Sequence, residues 1–160
     1  VSNFYQDKFY DLAHHCRIIP MVNQLEANVF SQQTEMREMM NEYGTKAMAW
    51  GPIAQGKENF TENEVLTETG KRYGKTAVQT ALRFLAQEGI PAIPKSSKAE
   101  RMKENIDIFD FEFTEEEMKI INEKIDFIGL NIYEASYQGD YVRPFGTAHT
   151  ELSWDIYPSP

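Results

Sequence analysis

Met21-Val22-Asn23-Gln24-Leu25-Glu26, then Gln32 to Tyr43, then Lys46-Ala47-Met48-Ala49-Trp50: these three consecutive stretches decide the fold of the chain. The first follows Pro20 and reads as a strand. In the second, Met36, Met39, Met40 and Tyr43 recur at helical spacing, and Gly44 supplies the stop. Its methionines read as core filler rather than as a groove for a partner. The third stretch is a strand that ends at Gly51-Pro52. A strand, a helix and a strand in that order form a unit whose two strands run parallel.

The same alternation extends in both directions. Val1 to Phe4 reads as the tail of a strand, and Tyr5 to His15 as a helix with Phe9, Leu12 and Ala13 on one side. Downstream of Trp50 comes a long loop through Gly56 to Thr61. A short helix follows from about Asn63 to Tyr73, stopped by Gly74. Thr76 then caps a strong helix, Ala77 to Glu88, whose Val78, Ala81, Leu82 and Leu85 face the core. Ile90 to Ile93 is a short apolar run that reads as a buried strand, ended by Pro94. Ser97 and Glu100 have capping-box spacing and open the next helix. Phe109 to Phe113 alternates, as a strand or an extended link would. Thr114 with Glu117 is a second capping box, opening a helix to about Lys124. Ile125 to Tyr133 reads as a further strand, and the rest is rich in aromatic and turn residues. A composition boundary falls near Lys124, separating residues 1–124 from 125–160. The expected fold is α/β with a parallel sheet, either a β/α barrel or an open doubly wound sheet.

The totals narrow the function classes. A chain of 160 residues, 41% hydrophobic, is long enough for one domain with a real core. Its net charge of -9 argues against general binding to nucleic acid or to a membrane surface, because the overall field repels phosphate polymers. One local cationic pocket remains compatible with that charge. Cys16 is the only cysteine, which fits a reducing, cytoplasmic compartment. No apolar run is long enough to span a bilayer. The start Val1-Ser2-Asn3-Phe4, without Met, reads as an engineered or cleaved beginning.

In a β/α barrel the chemistry sits at the C-terminal strand ends. Here those ends carry Ser2, Asn3, Gln24, Glu26, Trp50 and Lys95. Asn3 and Gln24 can hold an amide group through paired donor and acceptor contacts, or can bond locally within turns. Trp50 either packs in the core or stacks on a flat ring. Lys95, Lys98 and Arg101 gather where a helix begins, and a helix start offers unpaired N–H groups and a positive dipole end. That stretch is either a phosphate seat or an ordinary strand-to-helix turn with surface lysines. No Cys/His cluster has metal spacing, and neither a G-x-G-x-x-G nor a Walker loop occurs.

Taken in order, these residues resemble the C-terminal half of an aldo-keto reductase. The motifs are Val1-Ser2-Asn3-Phe4, Val22-Asn23-Gln24-Leu25-Glu26, Ala49-Trp50-Gly51-Pro52, Ile93-Pro94-Lys95-Ser96 with Arg101, and Glu104-Asn105 leading into Ile106-Asp107-Ile108-Phe109-Asp110-Phe111. Trp50-Gly51-Pro52 followed by Gln55-Gly56-Lys57 looks most like the prokaryotic branch that includes diketogluconate reductases. The resemblance covers residues 1 to about 124. It implies part of a (β/α)8 TIM barrel, with four to five parallel strands here, and an NADPH-dependent reduction of a small carbonyl. It implies that Ser2, Asn3 and Gln24 hold the nicotinamide carboxamide and that Trp50 stacks on the ring. Gly51, Ile53 and Gln55 would line the pyrophosphate path. Lys95, Ser96, Ser97 and Arg101 would grip the adenosine 2′-phosphate, with Glu104 and Asn105 at the adenine. The family's catalytic Asp, Tyr, Lys and His belong to the first half of its barrel, and no residue of this chain matches them. The expectation is therefore an NADPH-binding portion that is inactive alone and has a second half-barrel or another copy of itself as partner; the alternative is an engineered or truncated half-barrel scaffold that self-associates without activity. A weaker resemblance links Asp126 to Tyr133, with Ser153 to Pro158, to family 1 glycoside hydrolases. Either this tail, 125–160, is a divergent extension of the reductase, or, the favoured reading, the chain is a chimera whose Asn131, Tyr133 and Trp154 bind sugar.

Overall fold

The computed structural model describes residues 1–56 and 60–136, with the side chains of residues up to Ile125. The helices are α1 (Gln6–His15), α2 (Thr34–Glu42), α3 (Glu64–Lys71), α4 (Ala77–Gln87), α5 (Ala99–Ile106) and α6 (Glu115–Ser136). The strands are β1 (Val22–Glu26) and β2 (Lys46–Trp50). They pair in parallel, from Val22 against Lys46 to Glu26 against Trp50. Two single parallel bridges widen this ladder. Ser2 pairs with Gln24 on one side, and Ala92 pairs with Ala49 on the other. The lateral order is therefore residues 1–3, β1, β2, residues 91–93, all parallel, with helices between them in sequence. This is a piece of a β/α barrel.

The core lies between the ladder and the helices. Leu25 and Ala49 of the strands meet Phe9 of α1, Met36 and Met40 of α2, and Phe84 and Leu85 of α4. The α2 methionines are core filler, as their spacing predicts. Thr76 caps α4 through a full capping box with Gln79, and Asn63 caps α3 by accepting from the Leu66 N–H. In α6 the Thr114 hydroxyl accepts the Glu117 N–H at 3.2 Å while Glu117 accepts the Thr114 N–H at 3.0 Å. Each box satisfies helix-start donors reciprocally, which is why these starts are legible as spacing alone.

Three expectations are corrected. Residues 125–133 are not a strand, because α6 runs without a break from Glu115 to Ser136, across the composition boundary near Lys124. Ile121 and Ile125, four apart and both fully buried, carry the helical stripe up to the residues expected to form a strand. Ser97 does not cap α5. Lys98 holds the cap position without a side-chain bond, and the Ser96 hydroxyl accepts the Lys98 N–H at 3.1 Å. The serine one residue earlier wins because a two-residue hydroxyl turn forms before the helix begins. Of the two readings open for residues 109–113, the extended link holds, without strand pairing. Ile90 to Ile93 is a strand only at its single bridge: Ile90 is buried and Ile93 is exposed. The expected loop-rich segment from Tyr137 onward, Trp154 included, lies outside the described residues.

Candidate cofactor site

Three neighbouring parallel segments bring Ser2, Asn3, Gln24 and Trp50 together at their C-terminal ends. The Asn3 N–H donates to the Gln24 carbonyl at 2.9 Å, and the Ser2 hydroxyl donates to the same oxygen at 3.1 Å. Asn3 stands at φ 57°, in the left-handed region that asparagine tolerates better than most residues. That turn directs the chain into α1 and aims its side chain across the ladder. There Asn3 Oδ1 accepts the Trp50 indole N–H at 2.8 Å. The contact spans the width of β1 and fixes the indole relative to residues 1–3. The Gln24 amide donates to Met48 Sδ at 3.5 Å. Among the described residues Asn3 Nδ2 and Gln24 Oε1 have no hydrogen-bond partner, so one donor and one acceptor remain for a carboxamide.

Beyond Trp50 the backbone turns sharply. Gly51, Ala54, Gln55 and Gly56 all take positive φ. Gly51 needs its missing side chain for conformation, at φ 62°, while the Glu26 carboxylate lies 3.7 Å from where a Cβ would stand. Ile53 and Gln55 follow within this turn. Successive left-handed residues are costly, about 1 kcal/mol or more each without glycine, and such strain concentrates where a loop must hold a set shape.

On the far side of β2 the bridge at Ala92 leads to Lys95, Ser96 and Ser97, and Arg101 sits in the first turns of α5. Lys95, Ser97, Lys98 and Arg101 are exposed, and the three cations make no ion pair among the described residues. Unpaired cations beside a helix start suit an anion, and arginine binds phosphate in bidentate fashion. Glu104 is half-buried and accepts the Thr76 hydroxyl at 2.8 Å. Asn105 lines an apolar groove of about 580 Å³ with Leu82, Pro91, Met102 and Ile106.

Sequence reasoning gave Asn23 no role. It is fully buried, its amide donates to the Phe4 carbonyl at 2.6 Å, and it stitches residues 1–4 to β1. The alternation of β1 puts position 23 on the same face as Leu25, so a polar residue there signals a buried bond. Met48, the acceptor for Gln24, carries no comparable signal.

The family model described as "Aldo/keto reductase family" matches residues 1–126. The chain belongs to the aldo/keto reductase family. It is 40% identical over 124 residues to the 9,11-endoperoxide prostaglandin H2 reductase of Trypanosoma cruzi, an alignment covering 77% of this chain and 44% of that protein. It is also 40% identical to the (1S)-1,7-diacetoxy-luvungin A aldo-keto reductase of Citrus sinensis, over 97% of this chain and 49% of that protein. The chain thus spans about half the length of the curated relatives it matches. Among solved structures, MGS-M4, an aldo-keto reductase from a Medee basin deep-sea metagenome library, superposes with a TM-score of 0.76 at 33% identity, covering 79% of this chain and 47% of that one. A variant of Gox0644 in complex with NADPH superposes with a TM-score of 0.72 at 28% identity, covering 77% and 45%. The Citrus alignment continues through most of the segment beyond residue 126. That segment therefore aligns within the aldo/keto reductase family, and the glycoside hydrolase resemblance, the chimera and a sugar site at Asn131, Tyr133 and Trp154 find no support.

Proposed function

We propose that this chain is the cofactor-gripping part of an NADPH-dependent reductase that acts on a small carbonyl compound. The contact that carries the reading is the indole N–H of Trp50 on Asn3 Oδ1, which locks a flat aromatic group beside the Asn3 and Gln24 amides. Ser2, Asn3 and Gln24 hold the nicotinamide carboxamide, and Trp50 offers its face to the ring. Gly51, Ile53 and Gln55 follow the pyrophosphate. Lys95, Ser96, Ser97 and Arg101 take the 2′-phosphate, with Glu104 and Asn105 toward the adenine. When bound, NADPH supplies the hydride. By family resemblance, the proton donor and the groups that tune it belong to the barrel half not represented here, so this chain alone binds without turning over. Completion of the barrel by a second half, or pairing of two copies, is part of the same reading, as is a cytoplasmic setting. The relative in complex with NADPH supports the choice of cofactor.

Titration with NADPH and NADH tests it. A guanidinium on a phosphate is worth about 1.5–3 kcal/mol, so Arg101→Ala should weaken NADPH by roughly ten- to a hundredfold. NADH, which lacks the 2′-phosphate, should change little. A chain that binds neither dinucleotide at millimolar concentration would overturn the proposal.

A further inference from the structure

The helix that carries Arg101 is attached in an unusual way. α5 contributes no buried residue to the core. Its apolar side chains, Met102 and Ile106, are exposed at 51% and 68% along the open groove. What fastens it is a polar clamp reaching from the start of α4. Gln79, itself only 5% exposed, donates through Nε2 to the Glu104 carbonyl at 3.2 Å and to the Asp107 carbonyl at 2.9 Å, with Asp107 Oδ2 at 3.3 Å. The Lys75 ammonium donates to the Asp107 carbonyl at 3.1 Å and to Asp107 Oδ2 at 3.0 Å, and reaches the Asp110 carboxylate at 2.8 Å. The Thr76 hydroxyl donates to Glu104 Oε1.

Two of these acceptors, the Glu104 and Asp107 carbonyls, lie at the C-terminal end of α5, where intrahelical bonding runs out and the Glu104 carbonyl also accepts the Asp107 N–H at 3.1 Å. A short helix behaves as a rod. With no apolar face seated, its direction is set where it is tied, and its opposite end carries Arg101.

We propose that Gln79 and Lys75 are positioning residues for the 2′-phosphate grip: they set the direction of α5 and hence the place of Arg101. The proposal rests on the NADPH reading above. Gln79 does two separable jobs. Its Oε1 accepts the Thr76 N–H in the capping box of α4, and its Nε2 donates to α5. Gln79→Glu keeps the acceptor and removes the donor, placing a carboxylate against two carbonyls and Asp107.

The experiment titrates the parent chain, Gln79→Glu and Lys75→Met with NADPH and with NADH, and follows amide exchange without cofactor. Both variants should weaken NADPH about tenfold and NADH less than twofold. Amides of residues 99–106 should exchange faster while those of α2 and β2 stay unchanged. Adding Asp107→Asn to Gln79→Glu restores a donor facing position 79 and should recover part of the NADPH preference. Equal weakening of both cofactors, unchanged NADPH binding, or faster exchange throughout the chain would each overturn the positioning role. Failure of the parent chain to bind NADPH defeats the functional reading and this one together. Parent binding with unaltered variants defeats this one alone.

Discussion

Gly70 shows how little room single positions leave. It lies in α3 where α4 passes close. A Cβ there would overlap the Thr80 hydroxyl and stand 2.7 Å from the Lys75 carbonyl oxygen. Thr80 is fully buried and cannot swing away. Helix propensity favours alanine over glycine by about 1 kcal/mol, while overpacking costs about 1–3 kcal/mol. Contact should win, so Gly70→Ala is expected to lower the thermal midpoint by several degrees; a rise would show that α3 and α4 separate at little cost. The sequence marks Gly70 only as a glycine inside a helical pattern, because the partner it accommodates is ten positions away. Asn3 and Trp50 were legible as strand-end residues but not as bonded partners, since their contact crosses a whole strand. Ser96 and Ser97 were legible as a serine pair beside a helix start. Which of them bonds the backbone depends on where the first helical residue falls, and capping spacing alone did not fix that.

Among the elements, α6 depends most visibly on its first turn. Glu117, 7% exposed, accepts from the Tyr73 hydroxyl at 2.6 Å, from Arg72 Nη1 at 3.2 Å, and from both the N–H and the hydroxyl of Thr114. Burial pushes its carboxyl upward, but these donors outweigh burial and hold it below the usual carboxylate range. A carboxyl depressed in the folded state contributes stability above its unfolded pKa, near 4.3, and loses it as pH falls through the folded value. The thermal midpoint should therefore drop on acidification from about pH 5 to pH 3. Glu117→Gln should start several degrees lower at pH 7 and show a shallower acid slope. Parallel acid slopes in the two proteins would assign the acid sensitivity elsewhere. This box was readable as Thr-x-x-Glu; its links to Tyr73 and Arg72 were not. The extent of α6 was also missed. A short apolar run such as 125–133 fits a strand or a helix by composition, and the buried Ile121 and Ile125 stripe decides for the helix.

At the scale of the molecule, the parallel architecture was legible from the strand–helix–strand unit, because an amphipathic helix between two apolar runs has few other ways to pack. The small number of laddered residues was not, since single bridges leave no periodic trace. Among the described residues, segments 1–3 and 91–93 are each paired on one side only. Open edges seek partners, and the groove beside the second edge exposes Ile106 and Phe109, each at 68%. The isolated chain should therefore associate with itself as concentration rises. Burying one such side chain is worth about 1.5–3 kcal/mol, so Ile106→Lys with Phe109→Glu should weaken association about tenfold or more. Sedimentation velocity across a concentration series checks this, and a parent chain that stays monomeric throughout would sink the idea.

The lateral order has one more consequence, in the time it takes to form. No segment of the sheet is joined to its neighbour by a hairpin: Ser2 meets Gln24, Val22 meets Lys46, and Ala49 meets Ala92. Each pairing closes a loop of roughly twenty to forty residues, and doubling a loop adds only about 0.6 kcal/mol of closure entropy. The three closures are thus nearly equal in entropic cost, and none offers a cheap first step. Folding must wait for helices to form and dock before any pair of segments is held. The non-local pairing places this sheet among the slower topologies, with its edges open to other chains until the helices arrive.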